Sequence, residues 1–147
     1  MLTKEEVIQA IGAHIWWKHE FATAINERRY WLHPDTVAND RECEFGRWLY
    51  GLSPDDQNSG HFRLVQSLHA TFHEEAAHVM RLALAGDAAA AQTGIGLGLY
   101  PNISTALLIA MGEWAETLGS SHPAAGQIHV PRPDLANPDR SQPGANA

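Results

Sequence analysis

The chain has few lysines, one cysteine and no long apolar run, and each shortage excludes a class of function. Lys4 and Lys18 are its only lysines and its net charge is −7, so it offers no basic surface to nucleic acids or to anionic membranes. Cys43 is its only cysteine and cannot form an internal disulfide. No apolar run is long enough to cross a bilayer, and the N-terminus lacks the features of a secretory signal. We therefore expect a cytoplasmic protein that binds neither nucleic acid nor membranes.

Helical periodicity runs through most of the chain. Thr3 and Glu6 match a capping box, after which apolar side chains recur at three- and four-residue steps to about Arg29. The other expected helices are a short one at 41–51 with Asp40 as N-cap, a long one at 60–86, one that Asp87 caps, and one at 104–118. No strand pattern is present. The sequence predicts an all-α fold, an antiparallel four-helix bundle with one additional short helix that carries Cys43.

Two stretches depart from this regular pattern. Three glycines and Pro101 fall within 94–102 and weaken the helix that begins after Asp87. From residue 119 onward the chain holds five prolines and almost no periodicity. We therefore expect one helical domain at 1–118 and a disordered, proline-rich tail at 119–147.

Residues 69–78 read HATFHEEAAH, which resembles the zinc-protease sequence H-E-x-x-H but does not match it. His78 follows His73 by five residues, which separates the two rings by about 140° around a helix, so they cannot share a metal. His69 and His73 are four residues apart and share one face, as two ligands of a tetrahedral ion would. The alternative is that both histidines edge an amphipathic helix and hydrogen-bond to their neighbours.

Two more residues could complete a metal site. His14 lies on the inward stripe of the first helix, one turn from Ile11. Cys43 lies at the start of the short helix, where the helix dipole and unpaired backbone N–H groups favour a thiolate. Three imidazoles and one thiolate form a closed tetrahedral set that suits zinc. The residues alone leave open the alternative that Cys43 is a small buried hydrophobic side chain.

Three sequence blocks carry a resemblance to a known family. HIWWK at 14–18, CEFGRWLY at 43–50 and HATFH at 69–73 resemble, in order and spacing, the motifs of the chemoreceptor zinc-binding (CZB) domain family. Arg47 stands where the family usually has a lysine and keeps its charge. A weaker similarity extends over about residues 5–118.

The resemblance implies a four-helix bundle that binds one zinc ion, with the ligands His14, Cys43, His69 and His73. Members of the family are commonly dimeric and are usually attached to chemoreceptors or diguanylate cyclases, where they respond to zinc or to oxidants such as hypochlorous acid. This chain is similar to the stand-alone members. We therefore expect a homodimer that acts in bacterial signalling or chemotaxis, with a chemoreceptor or a diguanylate cyclase as a possible partner.

Four protein ligands leave no open position for an activated water, so we expect a regulatory zinc domain and not an enzyme. Cys43 is the expected redox switch, because a thiolate is the ligand that oxidants attack most readily. Trp16 would indicate a dimer face if it were exposed. The side chains expected around the zinc are Trp17, Phe45, Trp48 and Phe72.

Two other functions fit parts of the pattern. A purely structural zinc bundle, used for dimerisation or docking, has the same ligands and differs only in how readily it exchanges the metal. A hemerythrin-like di-iron bundle needs bridging carboxylates, whereas His14 is followed one turn later by Lys18. A cysteine ligand also favours zinc over an oxygen-bridged iron pair.

Overall fold

The computed structural model of the protein describes residues 1–30 and 32–119. Within these residues the chain forms helices and no strand, which confirms the all-α class. The helices are α1 (Lys4–Asn26), α2 (Pro34–Ala38), α3 (Glu44–Tyr50), α4 (Pro54–Gln57), α5 (Gly60–Leu84), α6 (Ala88–Leu97) and α7 (Leu99–Glu116). Apart from Gly119, the predicted tail lies outside the described residues, so its disorder and the domain boundary stay predictions.

The ends of α1 and α7 show how these two helices are oriented. Lys4, at the start of α1, forms an ion pair with Glu116, at the end of α7, with 2.8 Å between Nζ and Oε1. Farther along, the Tyr100 hydroxyl near the start of α7 donates to the carbonyl oxygen of Lys18 in α1 at 3.4 Å. The two helices therefore run antiparallel.

Helix α5 is also antiparallel to the α6–α7 segment. His61 near the start of α5 stacks on Trp114 near the end of α7, with 6.3 Å between ring centroids. Val79, later in α5, packs so closely on Gly94 of α6 that a Cβ there would lie 2.9 Å from the valine side chain. Helices α1 and α5 consequently run in the same direction, and α6 and α7 together run back along both.

The junction of α6 and α7 is more compact than the sequence indicated. Only Gly98 separates the two helices, and α7 begins at Leu99, although helical structure was expected to resume near Ser104. Pro101 is compatible with this earlier start because it lies in the first turn of α7, where backbone N–H groups have no partner within the helix.

The α6–α7 segment also bears on the membrane prediction. By length and composition alone, Ala88–Glu116 could cross a membrane, which no run of this chain was expected to do. Core helices of globular proteins can have the same composition. Here α7 buries Tyr100, Leu107 and Met111 completely against the other helices. The expectation that the protein binds no membrane stays a prediction.

Two apolar clusters fill the interior, one toward each end of α5. The first apolar cluster comprises Leu2, Val7, Ala10, Phe45, Leu49, Phe62, Val65, Leu107, Ala110, Met111, Trp114 and Ala115. The second apolar cluster comprises Phe21, Ile25, Val37, Phe72, Ala76, Ala77, Val79, Met80, Ala83, Ala91, Tyr100 and Ile103. The buried polar residues of the described chain lie where the two clusters meet, and we call them the histidine layer: His14, His69, His73 and Ser104.

The start of α3 differs from the prediction. Cys43 is its N-cap, and the Sγ atom accepts a hydrogen bond from the N–H of Gly46 at 3.2 Å. Asp40, the predicted cap, lies in the preceding turn, where its carboxylate accepts a hydrogen bond from the Tyr50 hydroxyl at 2.5 Å. The cap therefore holds the cysteine side chain back over the first turn of α3, toward the histidine layer.

Close packing at Gly46 sets the position of this turn. A Cβ at Gly46 would lie 1.8 Å from the carbonyl oxygen of Asp40, which is backbone and cannot rotate away. We expect Gly46→Ala to displace α3 and to lower the free energy of unfolding by on the order of 1–3 kcal/mol, the usual effect of overpacking.

Gly112→Ala is the matched control, because a Cβ at Gly112 in α7 meets no atom within 4 Å. It should leave stability unchanged or raise it by up to about 1 kcal/mol through helix propensity. Urea unfolding followed by circular dichroism measures both variants. Equal stability of the two would show that the turn can shift without cost.

Candidate metal centre

Three side chains from two elements converge in the histidine layer. The ligand atoms of Cys43, at the start of α3, and of His69 and His73, on α5, all lie within 4.8 Å of one another. Cys43 Sγ is 3.3 Å from His69 Nε2. Two ligands of a tetrahedral zinc ion with Zn–S of about 2.3 Å and Zn–N of about 2.0 Å lie about 3.5 Å apart. The sulfur and the nitrogen therefore already have nearly the spacing that a shared zinc requires.

The His73 ring is held by a backbone acceptor. Its Nδ1 donates a hydrogen bond to the carbonyl oxygen of Val37, at the end of α2, with 2.6 Å between the atoms. This contact places the ring proton on Nδ1 and leaves Nε2 as the atom available to a metal. This partner could not be predicted from the sequence, because Val37 reaches the site through its backbone.

His14 lies in the same layer but outside the three-residue group. It is buried on α1, its ring packs edge-on against Phe72 at 4.5 Å between centroids, and its Nε2 lies 3.1 Å from the hydroxyl of Ser104 on α7. Ser104 was not among the predicted site residues, since one serine in an apolar helix has no distinctive spacing. The role of His14 as the fourth ligand stays a prediction.

Aromatic rings enclose the three histidines. Trp17 packs on His73 at 4.8 Å between centroids, and Phe45 packs on His69 at 4.5 Å. Phe72 contacts both His14 and His73. Trp48, the other aromatic residue expected around the zinc, packs on Phe45 instead, one layer farther out. These rings make the surroundings of the layer apolar, which strengthens any metal–ligand bond formed there.

The remaining histidine of the HATFHEEAAH stretch faces away from the site. His78 is exposed on α5, as are His19 on α1 and His33 before α2. Glu74 is exposed as well. Among the described residues, the acidic side chain nearest a site histidine is instead Asp40, with its Oδ2 atom 3.8 Å from His69 Nδ1.

Comparison with known families agrees with this geometry. Residues 14–80 match the chemoreceptor zinc-binding domain, CZB. Over these residues the chain is similar to a CZB domain. The match begins at His14, includes all four predicted ligands and ends in α5, so it is narrower than the similarity expected over about residues 5–118. No significant match exists among curated proteins or solved structures.

Burial keeps the imidazoles of the histidine layer uncharged. Removal from water lowers the pKa of His14 to about 3 and that of His69 to about 2, and it lowers the pKa of His73 as well. Nearby histidines add a smaller effect of the same sign on His14 and His69. All three rings are therefore neutral near pH 7, which is the form that binds metal.

Burial has the opposite consequence for the thiol. It raises the pKa of Cys43 to about 11, which outweighs the stabilisation of a thiolate by the N–H of Gly46. The expected thiolate is therefore not the form of the metal-free site, because local helix geometry counts for less than desolvation. A zinc ion bound to the sulfur would supply the positive charge that favours deprotonation.

The donor set fits zinc in a further respect. His69 Nδ1 is a buried ring nitrogen without a hydrogen-bond partner. Buried polar atoms normally have partners, so the His69 ring has one unmet hydrogen bond on its Nδ1 side, while its Nε2 faces Cys43. Two imidazoles and one thiol around one point, with a third imidazole beside them, are ligands that zinc accepts.

A cleft connects the site with the surface. It has a volume of about 230 Å³ and lies between α1 and the segment that carries α2 and α3. Its walls include His14, Cys43 and His73, and Trp16 and Arg47 also line it. A metal ion or a small oxidant can therefore reach the sulfur without unfolding of the bundle.

The neutral histidines predict acid sensitivity of the metal-free domain. Imidazoles in the unfolded chain take up protons near pH 6.5, whereas those of His14 and His69 do so in the folded chain only near pH 3 and pH 2. Between these values the unfolded state binds more protons than the folded state. The free energy of unfolding therefore has its full value above about pH 6.5 and decreases as the pH falls. The urea concentration at the midpoint of unfolding should therefore decrease from pH 7.5 to pH 6 and again to pH 5.

Two variants of the metal-free domain identify the source of this effect. His14→Gln removes one buried imidazole and should reduce the dependence of the midpoint on pH. His78→Gln replaces an exposed residue on α5 and should leave the dependence unchanged. A wild-type midpoint that is constant from pH 7.5 to pH 5 would contradict the prediction.

Proposed function

We propose that this protein is a zinc-responsive regulatory domain in which one Zn²⁺ is held by His14, Cys43, His69 and His73. The observation that carries the proposal is the 3.3 Å distance between Cys43 Sγ and His69 Nε2 inside a buried layer of neutral imidazoles. The CZB match supports zinc as the metal. With all four ligands bound, no position stays open for a catalytic water, so the proposed role is regulatory and not enzymatic.

The ligand types favour zinc over a pair of iron ions. The ligand group found in the described residues contributes one sulfur and two ring nitrogens and contains no carboxylate. A hemerythrin-like site would need carboxylates to bridge two metals. Thiolate and imidazole are ligands of zinc, which binds them in a tetrahedral arrangement.

Zinc would connect three separate parts of the bundle. His14 belongs to α1, Cys43 to the start of α3, and the other two ligands to α5. Because the metal binds the folded arrangement only, its occupancy adds to the stability of the contacts among these elements. Removal of zinc would loosen α3 most, since it is a helix of 7 residues while α1 and α5 are long.

The proposed input is either the level of zinc or an oxidant. Hypochlorous acid would oxidise the Cys43 thiolate to sulfenic acid: the sulfur gains the OH group, two electrons pass to chlorine, and chloride leaves. The sulfenic acid is a weaker ligand than the thiolate, so zinc is released. The cleft that reaches Cys43 supports this pathway.

CZB domains are part of chemoreceptor-type signalling proteins. We propose that this chain acts in the cytoplasm as a homodimer, with a chemoreceptor or a diguanylate cyclase as its partner. The outer face of α1 supports the dimer. Ile8, Ile15 and Trp16 are 52%, 49% and 42% exposed, and their spacing of seven and eight residues puts them on one stripe.

Native mass spectrometry of the chain purified without added metal tests the site and the dimer together. We expect about one zinc per chain and a mass of two chains. Cys43→Ala should lose zinc or bind it much more weakly, because it removes the thiolate from the ligand set. Full zinc occupancy in Cys43→Ala would remove Cys43 from the site, and two irons per chain would overturn the zinc assignment.

Oxidation of the zinc-loaded protein separates a sensor from a structural site. Addition of hypochlorous acid in small molar excess should release zinc to a chromophoric chelator while the intact mass rises by one oxygen. Cys43→Ser under the same conditions measures the oxidation of the other side chains, such as the exposed Met1 and Trp16. Zinc that stays bound to wild type while Cys43 is unmodified would favour the purely structural bundle.

A further inference from the structure

The three buried histidines differ in how their second nitrogen is satisfied. His73 Nδ1 donates to a backbone carbonyl oxygen at 2.6 Å, and His14 Nε2 lies 3.1 Å from the Ser104 hydroxyl. His69 has no such partner, although its Nδ1 atom is buried. A histidine that binds metal through one nitrogen normally donates a hydrogen bond from the other. The site therefore lacks one acceptor, and the missing acceptor belongs beside His69 Nδ1.

The Asp40 carboxylate is the group in position to act as that acceptor. Its Oδ2 atom is 3.8 Å from His69 Nδ1, and its side chain is 17% exposed. The same oxygen accepts a hydrogen bond from the Tyr50 hydroxyl at 2.5 Å. Tyr50 is held in turn by Arg41, whose guanidinium carbon lies 3.8 Å above the tyrosine ring. The carboxylate is therefore fixed next to the ring nitrogen before any metal binds.

Metal binding would turn this proximity into a hydrogen bond. His69 Nε2 faces Cys43 Sγ at 3.3 Å, so it is the nitrogen that a shared zinc would bind. Coordination through Nε2 confines the ring proton to Nδ1, which then points toward Asp40. A movement of about 1 Å brings the two atoms to the distance of about 2.8 Å that a charge-assisted hydrogen bond has.

We propose that Asp40 is a positioning residue of the zinc site. It holds the His69 ring in the orientation that the metal requires, through a hydrogen bond from Nδ1–H to the carboxylate. The inference rests on the proposed zinc site and adds to it a residue that the four ligands do not include. Asp40 precedes Cys43 by three residues, and its carbonyl oxygen lies 3.8 Å from the sulfur. One turn of the chain thus supplies both a ligand and the support for a second ligand, so displacement of this turn weakens the site at two points.

Substitution of Asp40 in the full chain tests this role. A competition titration against a chromophoric chelator should show zinc affinity about 10–100-fold weaker in Asp40→Ala, the usual effect of loss of such a partner. Asp40→Asn should lie between this variant and wild type, because its amide oxygen accepts the hydrogen bond without the negative charge. Asp55→Asn, at an exposed position of α4, is the matched control and should bind zinc as wild type does.

Nitrogen NMR of the histidine rings supplies a readout that a merely structural role would not change. In zinc-loaded wild type, His69 should show a metal-bound Nε2 and an Nδ1 proton that exchanges slowly with water. In zinc-loaded Asp40→Asn and Asp40→Ala this proton should exchange faster, while the Nδ1 proton of His73, which donates to Val37, should be unaffected.

Several outcomes would overturn the proposal. Wild-type zinc affinity in a folded Asp40→Ala protein would show that Asp40 does not support the site, and so would an unchanged His69 proton in Asp40→Asn. A His69 ring that binds zinc through Nδ1 would also contradict it. Absence of zinc from the wild type would overturn the zinc site itself, whereas the other results leave that site intact and remove only the role of Asp40.

Discussion

The structure depends on one constraint, which is that four polar side chains must be buried between two apolar clusters without being charged. A buried imidazolium or an unpaired polar atom costs several kcal/mol, so each ring of the histidine layer needs either a hydrogen-bond partner or a metal. Val37 and Ser104 are the partners of His73 and His14. The remaining ring, His69, faces the cysteine with one nitrogen and an aspartate with the other. His69 is thus the ring of the layer whose buried nitrogen has no hydrogen-bond partner, and the cleft reaches the layer on the side of Cys43.

The directions of the helices explain why these residues meet. Helices α1 and α5 run the same way, so the histidine layer falls at the same height on both, and α7 returns antiparallel to bring Ser104 to that height. Helix α3 contacts α1 and α5 at the first apolar cluster through Phe45 and Leu49. Its own N-cap is the cysteine, so the same bond geometry that begins the helix also directs the sulfur toward the imidazoles. The position of the site follows from packing, and its chemistry follows from which residue caps a short helix.

Much of this arrangement could be predicted from local sequence, and what could not was determined by distant contacts. The capping box at Thr3, the all-α class and the shared face of His69 and His73 depend on spacing of a few residues, and the structure shows each of them. The cap of α3, the role of Ser104 and the early start of α7 depend on atoms that meet only after folding. The protonation of Cys43 is the clearest case, because helix geometry favours a thiolate while burial, which is a property of the whole bundle, favours the thiol.

The difference between the ligands indicates how a switch could work without unfolding the domain. Burial keeps the imidazoles neutral and the thiol protonated, so at the proposed site zinc would have to displace a proton from Cys43. Among the proposed ligands, Cys43 is also the one that lies outside the long helices, and it borders the cleft. If a bond from Cys43 to zinc were lost, His14 and His73 would keep the partners that hold them in the metal-free structure. In the proposed site, the rings of His14 and His73 would therefore stay in place after zinc release, while Cys43 would be the ligand that changes.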